Sequence, residues 1–253
     1  LGASVEEAAR AFVRGLPASV HVILPEGALP HEAEKRLRRQ VAHVVAVAPD
    51  AYQREVEGLT VPYAEWKDNV RLALAACEAA GVPPAIAVRG MQNLQGDFGA
   101  LRAWRLRSGE AVWIAVNAFA ANDPISTMSA YRRVIETEAC RDLPIVGVFN
   151  VRGDRGDRTA QWCRVLARGE GPHLDWLLVV GDRPRVVVRR VRCFWGDRVQ
   201  ELNVRSPEDV IQAAGRLAPA GGVLFGFGNI GGLGSALVKQ WAEGGEPVCL
   251  SSS

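Results

Sequence analysis

The spacing of hydrophobic positions changes several times along the chain. Over 4–14 (SVEEAARAFVR), Val5, Ala8, Ala9, Phe12 and Val13 recur at helical spacing. Ser4, with Glu7 three residues on, adds a capping box to that helix. Residues 19–24 (SVHVIL) form a short β-branched run that stops at Pro25, and 41–47 (VAHVVAV) form another. Between them, 30–40 (PHEAEKRLRRQ) reads as a charged surface helix opened by Pro30. Strand, helix, strand in that order predicts an α/β layer with a parallel sheet. The stretch 64–80 predicts the clearest helix, closed by Gly81, and Pro83 and Pro84 open a shorter one through Arg89. Residues 90–99 (GMQNLQGDFG) read as loop.

After Arg102 the polarity rises through Arg105, Arg107, Ser108, Gly109 and Glu110, which suggests an exposed linker. The predicted boundary therefore divides the chain into 1–105 and 106–253. A fresh series of apolar runs follows, at 111–116, 144–149, 174–180, 186–191 and 222–227, all read as strands. Helical stretches separate most of them, at about 124–139, 157–168, 206–217 and 232–243. The second part reads as a complete doubly wound, Rossmann-like domain with a mostly parallel sheet, and the first as part of a domain.

Charge changes this picture little. Basic and acidic residues nearly cancel, at 30 against 28, so no field of one sign makes nucleic acid the default partner. The lysines are Lys35, Lys67 and Lys239 alone, and none follows a glycine, so no Walker A loop lies in these 253 residues. Five cysteines without a C-x-x-C pair argue against a disulfide framework and against structural zinc, and fit a reducing compartment. No apolar run reaches membrane-spanning length and no signal peptide is visible. The start at Leu1, directly before helical sequence, suggests a piece of something longer.

Three loops carry candidate chemistry, each placed directly after a predicted strand, where ligands gather in open parallel sheets. In 117–127 (NAFAANDPIST), Asp123 and Pro124 open a helix whose first N–H groups could hold an anion. In 150–159 (NVRGDRGDRT), three arginines and two aspartates crowd a glycine-rich turn; arginine forks match carboxylate and phosphate oxygens. Gly226–Gly231 (GFGNIG) matches G-x-G-x-x-G, but the chain is expected to end before a βαβ unit closes behind it. A glycine turn that brings backbone close to another ligand is the preferred reading.

Taken together, the stretches 68–90 (DNVRLALAACEAAGVPPAIAVRG), 116–127 (VNAFAANDPIST), 150–161 (NVRGDRGDRTAQ) and 226–232 (GFGNIGG) resemble the Mur ligase superfamily, and within it the poly-γ-glutamate synthases. The resemblance implies the distal part of a Mur-type central ATPase domain followed by the Rossmann-like C-terminal ligase domain. It implies ATP-dependent amide ligation through an acyl phosphate, with glutamate added to poly-γ-glutamate, and ATP and Mg2+ as cofactors of the complete enzyme. Asn122 stands where the superfamily has a histidine, and becomes a candidate for positioning the phosphoryl group. Asn69, Arg102 and Asn117 join Asn122 as nucleotide contacts. Asp154, Arg155, Asp157, Arg158, Gly228 and Asn229 become substrate contacts.

The family's P-loop and magnesium ligands have no counterpart in this sequence, so no metal ligand is assigned here. Tight ATP binding and activity are not expected of the chain alone. The resemblance also implies membrane-associated synthesis and export subunits as partners, at the inner face of the cell membrane. Two other readings remain open: a NAD(P)- or nucleotide-binding Rossmann protein, resting on GFGNIGG, and a non-catalytic assembly subunit.

Overall fold

A computed structural model of the chain describes residues 4–59, 66–94, 96–121, 123–204 and 206–250. The chain divides near residue 95 into two units. Each is built from alternating strands and helices.

In the first unit, α1 (Val5–Arg14) is capped by Ser4, whose hydroxyl accepts from the Glu7 N–H. Strands β1 (His21–Pro25) and β2 (His43–Val47) pair in parallel through the crossover helix α2 (His31–Gln40). Val13, Leu24, Leu37 and Val41 pack together where α1, α2 and the sheet meet. The Gln40 amide donates to the Val13 and Leu16 carbonyls, both at 2.8 Å, closing the end of α1. Helices α3 (Gln53–Glu57), α4 (Lys67–Ala79) and α5 (Pro84–Gln92) share a second core of Val56, Leu59, Val70, Leu74 and Ala87. The sequence pattern does not predict α3, which is too brief for a helical period to register.

In the second unit the strands are β3 (Arg102–Ser108), β4 (Ala111–Asn117), β5 (Ile145–Val151), β6 (Trp176–Gly181), β7 (Val199–Glu201), β8 (Gly221–Gly228) and β9 (Glu246–Val248). The helices are α6 (Pro124–Glu136), α7 (Gly156–Ala167), α8 (Pro184–Trp195), α9 (Pro207–Leu217) and α10 (Leu233–Gly244). The seven strands form one sheet in the order β7-β6-β5-β8-β4-β3-β9. The block from β7 to β4 is wholly parallel, and β3 runs antiparallel between β4 and β9.

Alternating strand residues feed two cores, as expected of a sheet covered on both faces. Ile114, Val116, Phe149 and Val179 join Tyr131, Trp162, Leu166 and Val191 from α6, α7 and α8. Trp113, Ala115, Val148 and Val180 join Val210, Ala214, Leu237 and Trp241 from α9 and α10. This is the mixed α/β fold with a largely parallel sheet that the alternation of patterns predicts.

Three expectations are corrected. The predicted linker around the 105/106 boundary is strand β3, inside the second unit. Trp104 and Leu106 are buried on one face while Arg105 and Arg107 point outward, so the arginines disguise a period-2 strand. The run 186–191, read as a strand, belongs to helix α8. Val187, Val188, Val191 and Trp195 bury one helical stripe behind Pro184, and parallel β6 and β7 require a crossover between them. A strand does follow α10, but β9 pairs with β3 at the far edge rather than beside β8. Among the described residues, no helix is long and apolar enough to cross a membrane.

Candidate functional site

The sheet order decides the geometry of the site. β8 lies between β4 and β5, with Asn117 opposite Gly226 and Asn150 opposite Gly228. The three loops singled out in the sequence therefore leave the carboxyl ends of three adjacent strands, β4, β8 and β5. The chain order β4, β5, β8 gives no hint of that adjacency. The reversal of connection at this point is where open α/β sheets place their ligands.

The loop after β4 is anchored from below. Asn117 is fully buried, and its amide donates to the Phe98 and Ala100 carbonyls at 3.0 and 3.2 Å while its Oδ1 accepts from the Phe119 N–H. Arg102, its partner across the strand pair, donates to the Gly96 carbonyl. These two residues, expected among the nucleotide contacts, latch the 96–100 segment onto the sheet. Asn122 lies outside the described residues.

Asp123 caps α6: its carboxylate accepts from the Ser126 N–H at 3.0 Å and from the Ser126 hydroxyl at 2.7 Å. Partial burial works against its charge. Hydrogen bonds from Ser126 and the Ile125 N–H, together with the positive Arg158, outweigh that and hold the carboxyl below its usual range. The Thr127 N–H is taken by the Asp123 carbonyl, and Pro124 has none to give. The anion expected at this helix start is thus the protein's own Asp123.

Asp123→Ala should lower stability by about 1 kcal/mol. A carboxylate with a depressed pKa stabilises above its unfolded pKa and loses that contribution as pH falls through the folded one. The gap between wild type and variant should therefore close on acidification, as measured by urea denaturation at neutral pH and below the carboxylate range. A gap independent of pH would refute the charged cap.

The loop after β5 is ordered by ion pairs within itself. Arg152 grips Asp154 with both arms of its fork, at 3.0 and 2.7 Å, and Arg155 stands 3.9 Å from the same carboxylate. Arg155 then precedes α7, placing Asp157 and Arg158 in its first turn. Asp182, just past β6, accepts from the Gly153 N–H at 2.8 Å and ties the loop to the neighbouring strand end. Asp154, Arg155 and Asp157 are exposed, and Arg158 is half-buried on the side of Asp123. The sequence pattern gives Arg152 no role beyond its place in the charged turn and gives Asp182 none, since only the folded chain sets Asp182 beside these residues.

The loop after β8 is held by Asn150, which the sequence pattern likewise leaves without a role. This buried residue donates to the Asn229 carbonyl at 2.6 Å and the Gly231 carbonyl at 2.8 Å. In return its own carbonyl accepts from the Asn229 backbone and side chain. A Cβ on Gly234 would stand 2.8 Å from the Asn150 amide, and one on Gly231 2.5 Å from the Arg152 guanidinium. The space kept open by these glycines is filled by Asn150 and Arg152, where a dinucleotide loop would leave it for pyrophosphate. Gly228, at φ +101°, and buried Asn229 form the base of the site and are turned toward Asn150.

Asn69 is exposed in the first turn of α4, in the first unit. Two residues on, Arg71 is buried and donates to the Ala51 carbonyl, Asp68 and Gln53. With Asp68 it lines a small cavity beside Pro25 and Val47, at the carboxyl ends of β1 and β2. Among the described residues no group of three or more His, Cys, Asp or Glu could hold a metal ion.

The chain has relatives among known proteins. A relative from Bacillus subtilis (strain 168), described as PGA synthase CapB, is 28% identical over 251 residues, covering 96% of this chain and 61% of the relative. The chain thus spans less than two thirds of that protein's length. Among solved structures, MurF from Acinetobacter baumannii matches with a TM-score of 0.56 at 15% identity, over 90% of this chain and 54% of MurF. The bifunctional folylpolyglutamate synthase/dihydrofolate synthase from Yersinia pestis, complexed with AMPPNP and Mn ion, matches with a TM-score of 0.60 at 15% identity. That match covers 96% of this chain and 58% of the synthase. The chain therefore shares its fold with parts of these two ligases. The family model described as "Poly-gamma-glutamate synthase CapB C-terminal domain" matches residues 104–244, and through that domain the chain belongs to this family.

Proposed function

We propose that this chain supplies the amino-acid side of an ATP-dependent acid–amino-acid ligase that lengthens poly-γ-glutamate. The observation that carries the proposal is the convergence of the three loops at the ends of β4, β8 and β5, in a chain of the CapB C-terminal family. The relative and the folylpolyglutamate synthase neighbour, by their names, both act on polyglutamates.

The residues present do not by themselves fit a nucleoside triphosphate with its metal. Asn117 is spent on the 96–100 segment, the α6 start is filled by Asp123, and the sequence holds no P-loop lysine. In the complete enzyme, ATP and Mg2+ would activate the carboxylate at the end of the polymer. This chain's own part is to bind and orient the incoming glutamate. Arg155 and Arg158, at the start of α7, offer guanidinium forks to its carboxylates. Asp157 and Asp154 can receive its ammonium group and orient the forks.

The first unit suits the distal part of a larger central domain. Parallel sheets are ordinarily covered on both faces, yet the β1–β2 pair leaves Val45 39% exposed and His21 and His43 exposed at its start. Further strands from elsewhere in the complete protein would cover and extend it. Action at the inner face of the membrane, with synthesis and export subunits, belongs to the same reading.

The 253-residue chain alone should show no Mg2+-dependent ATP turnover above a protein-free control, because it offers no backbone cradle and no lysine for the β/γ-phosphates. A full-length enzyme carrying this segment should incorporate labelled glutamate into polymer with ATP. Turnover by the chain alone, or a full-length enzyme indifferent to glutamate, would overturn the reading.

A further inference from the structure

Helix α8 and its flanks carry a marked excess of positive charge. From Asp182 to Arg198 there are six arginines against two aspartates, a net +4 in a chain whose total is +2. The helix buries Val187, Val188, Val191 and Trp195, and all six arginines are exposed. Arg185, Arg189 and Arg192 stand at i, i+4 and i+7, which places them in one stripe along its outer face. Twelve residues of α-helix make that face about 18 Å long.

Opposing charge is sparse. Arg192 approaches Asp197 at 3.6 Å, with both side chains more than half exposed, so that pair is weak and exchangeable. No ion pair involves Arg185 or Arg189 among the described residues.

The position of the stripe gives it meaning. Asp182 accepts from the Gly153 N–H, and Arg183 follows it directly as the residue before α8. The basic helix thus starts beside the loop that carries Arg155 and Arg158, at the carboxyl edge of the sheet. A polymer with one carboxylate per residue, emerging at that edge, meets a row of guanidinium forks leading away from the site.

We propose that the α8 stripe Arg185–Arg189–Arg192 is an exosite that holds the growing polyanionic γ-glutamyl chain while its end is extended. The proposal rests on the reading of the site as a polyglutamate ligase. The carboxylates of successive residues pair with successive arginines, and the affinity is electrostatic and lost with salt. A membrane surface is the weaker occupant. The exposed large apolar side chains of α8 are Val186 and Phe194, each about half exposed, and the Phe194 ring rests over Gly169, where a Cβ would stand 2.3 Å from it, so the helix offers a bilayer little apolar surface beside six arginines.

The test measures binding of a fluorescent oligo-γ-glutamate, long enough to span the stripe, to the 253-residue chain. Three proteins are compared: wild type, R185Q/R189Q/R192Q, and the control R10Q/R36Q/R39Q, which removes the same charge from exposed positions of the first unit. The α8 variant should weaken binding about tenfold with unchanged circular dichroism, and the control much less. Absence of binding to wild type, or equal losses in both variants, would overturn the exosite. So would a variant that loses anionic phosphatidylglycerol vesicles while retaining the oligomer, which assigns the stripe to a membrane. Incorporation of labelled glutamate by the full-length enzyme separates the two layers. Incorporation without oligomer binding removes the exosite alone, and no incorporation removes the ligase reading together with it.

Discussion

Asn150→Ala should lower the stability of the second unit by about 3 kcal/mol. The side chain sits at 1% exposure and spends both amide hydrogens on carbonyls of the β8 loop, Asn229 at 2.6 Å and Gly231 at 2.8 Å. Alanine would leave those two carbonyls without their donor in a buried place, where each unmade bond costs about 1–3 kcal/mol and relaxation recovers part of it. Asn150→Asp should be worse near neutrality, because a carboxylate would face the same two carbonyls with no hydrogen to offer. Its pKa would be raised in the folded state, so that variant should recover as pH falls, the opposite direction from the Asp123 cap. Buried Trp113, Trp162 and Trp241 all lie in this unit and report its urea transition by fluorescence. An alanine variant with an unchanged midpoint would show that the clamp contributes nothing.

The second large effect concerns catalysis. In a complete enzyme, Arg158→Ala should reduce kcat/KM for the amino-acid substrate by the equivalent of about 2–5 kcal/mol, with the KM for ATP little changed. Arg158 is half-buried in the first turn of α7, and its charge reaches Asp123 at the start of α6. It lies between two of the converging elements; Arg152, which also reaches a second loop at Gly231, is bound to Asp154 in a bidentate pair. Lysine at the same place should rescue poorly, because a point charge cannot pair with two carboxylate oxygens in a fork. Folding stability provides the contrast, since losing a charge interaction near the surface costs about 1 kcal/mol or less. Wild-type kinetics for both variants would move the substrate site to Arg155 and Asp157.

The two predictions differ in how visible their residues are in the sequence. Arg158 stands in a crowded charged turn after an apolar strand, a local signal readable without any fold. Asn150 closes an apolar run just before that turn, and nothing in the sequence marks it as a clamp on a distant loop. Its partners lie 79 and 81 positions away, brought together because β5 and β8 are neighbours in the sheet. Asn117 is the converse case: its position at a strand end is plain, but the sheet and the 96–100 segment close around its amide and make it a latch.

Local periodicity alone determined the α/β class, the parallel crossovers, the placement of most helices and the three loops at strand ends. Those features depend on side chains within a few residues of one another, and propensity and spacing report on them directly. Tertiary structure decided the rest. Strand β3 became legible only as the antiparallel partner of β4, because its outward arginines hide the alternation that buries Trp104 and Leu106. The valine run of α8 is helical because β6 and β7 are parallel and must be joined across one face. The insertion of β8 between β4 and β5 set the three loops side by side. Which strands become neighbours depends on how the whole sheet buries its two faces, a cooperative outcome that no single segment encodes.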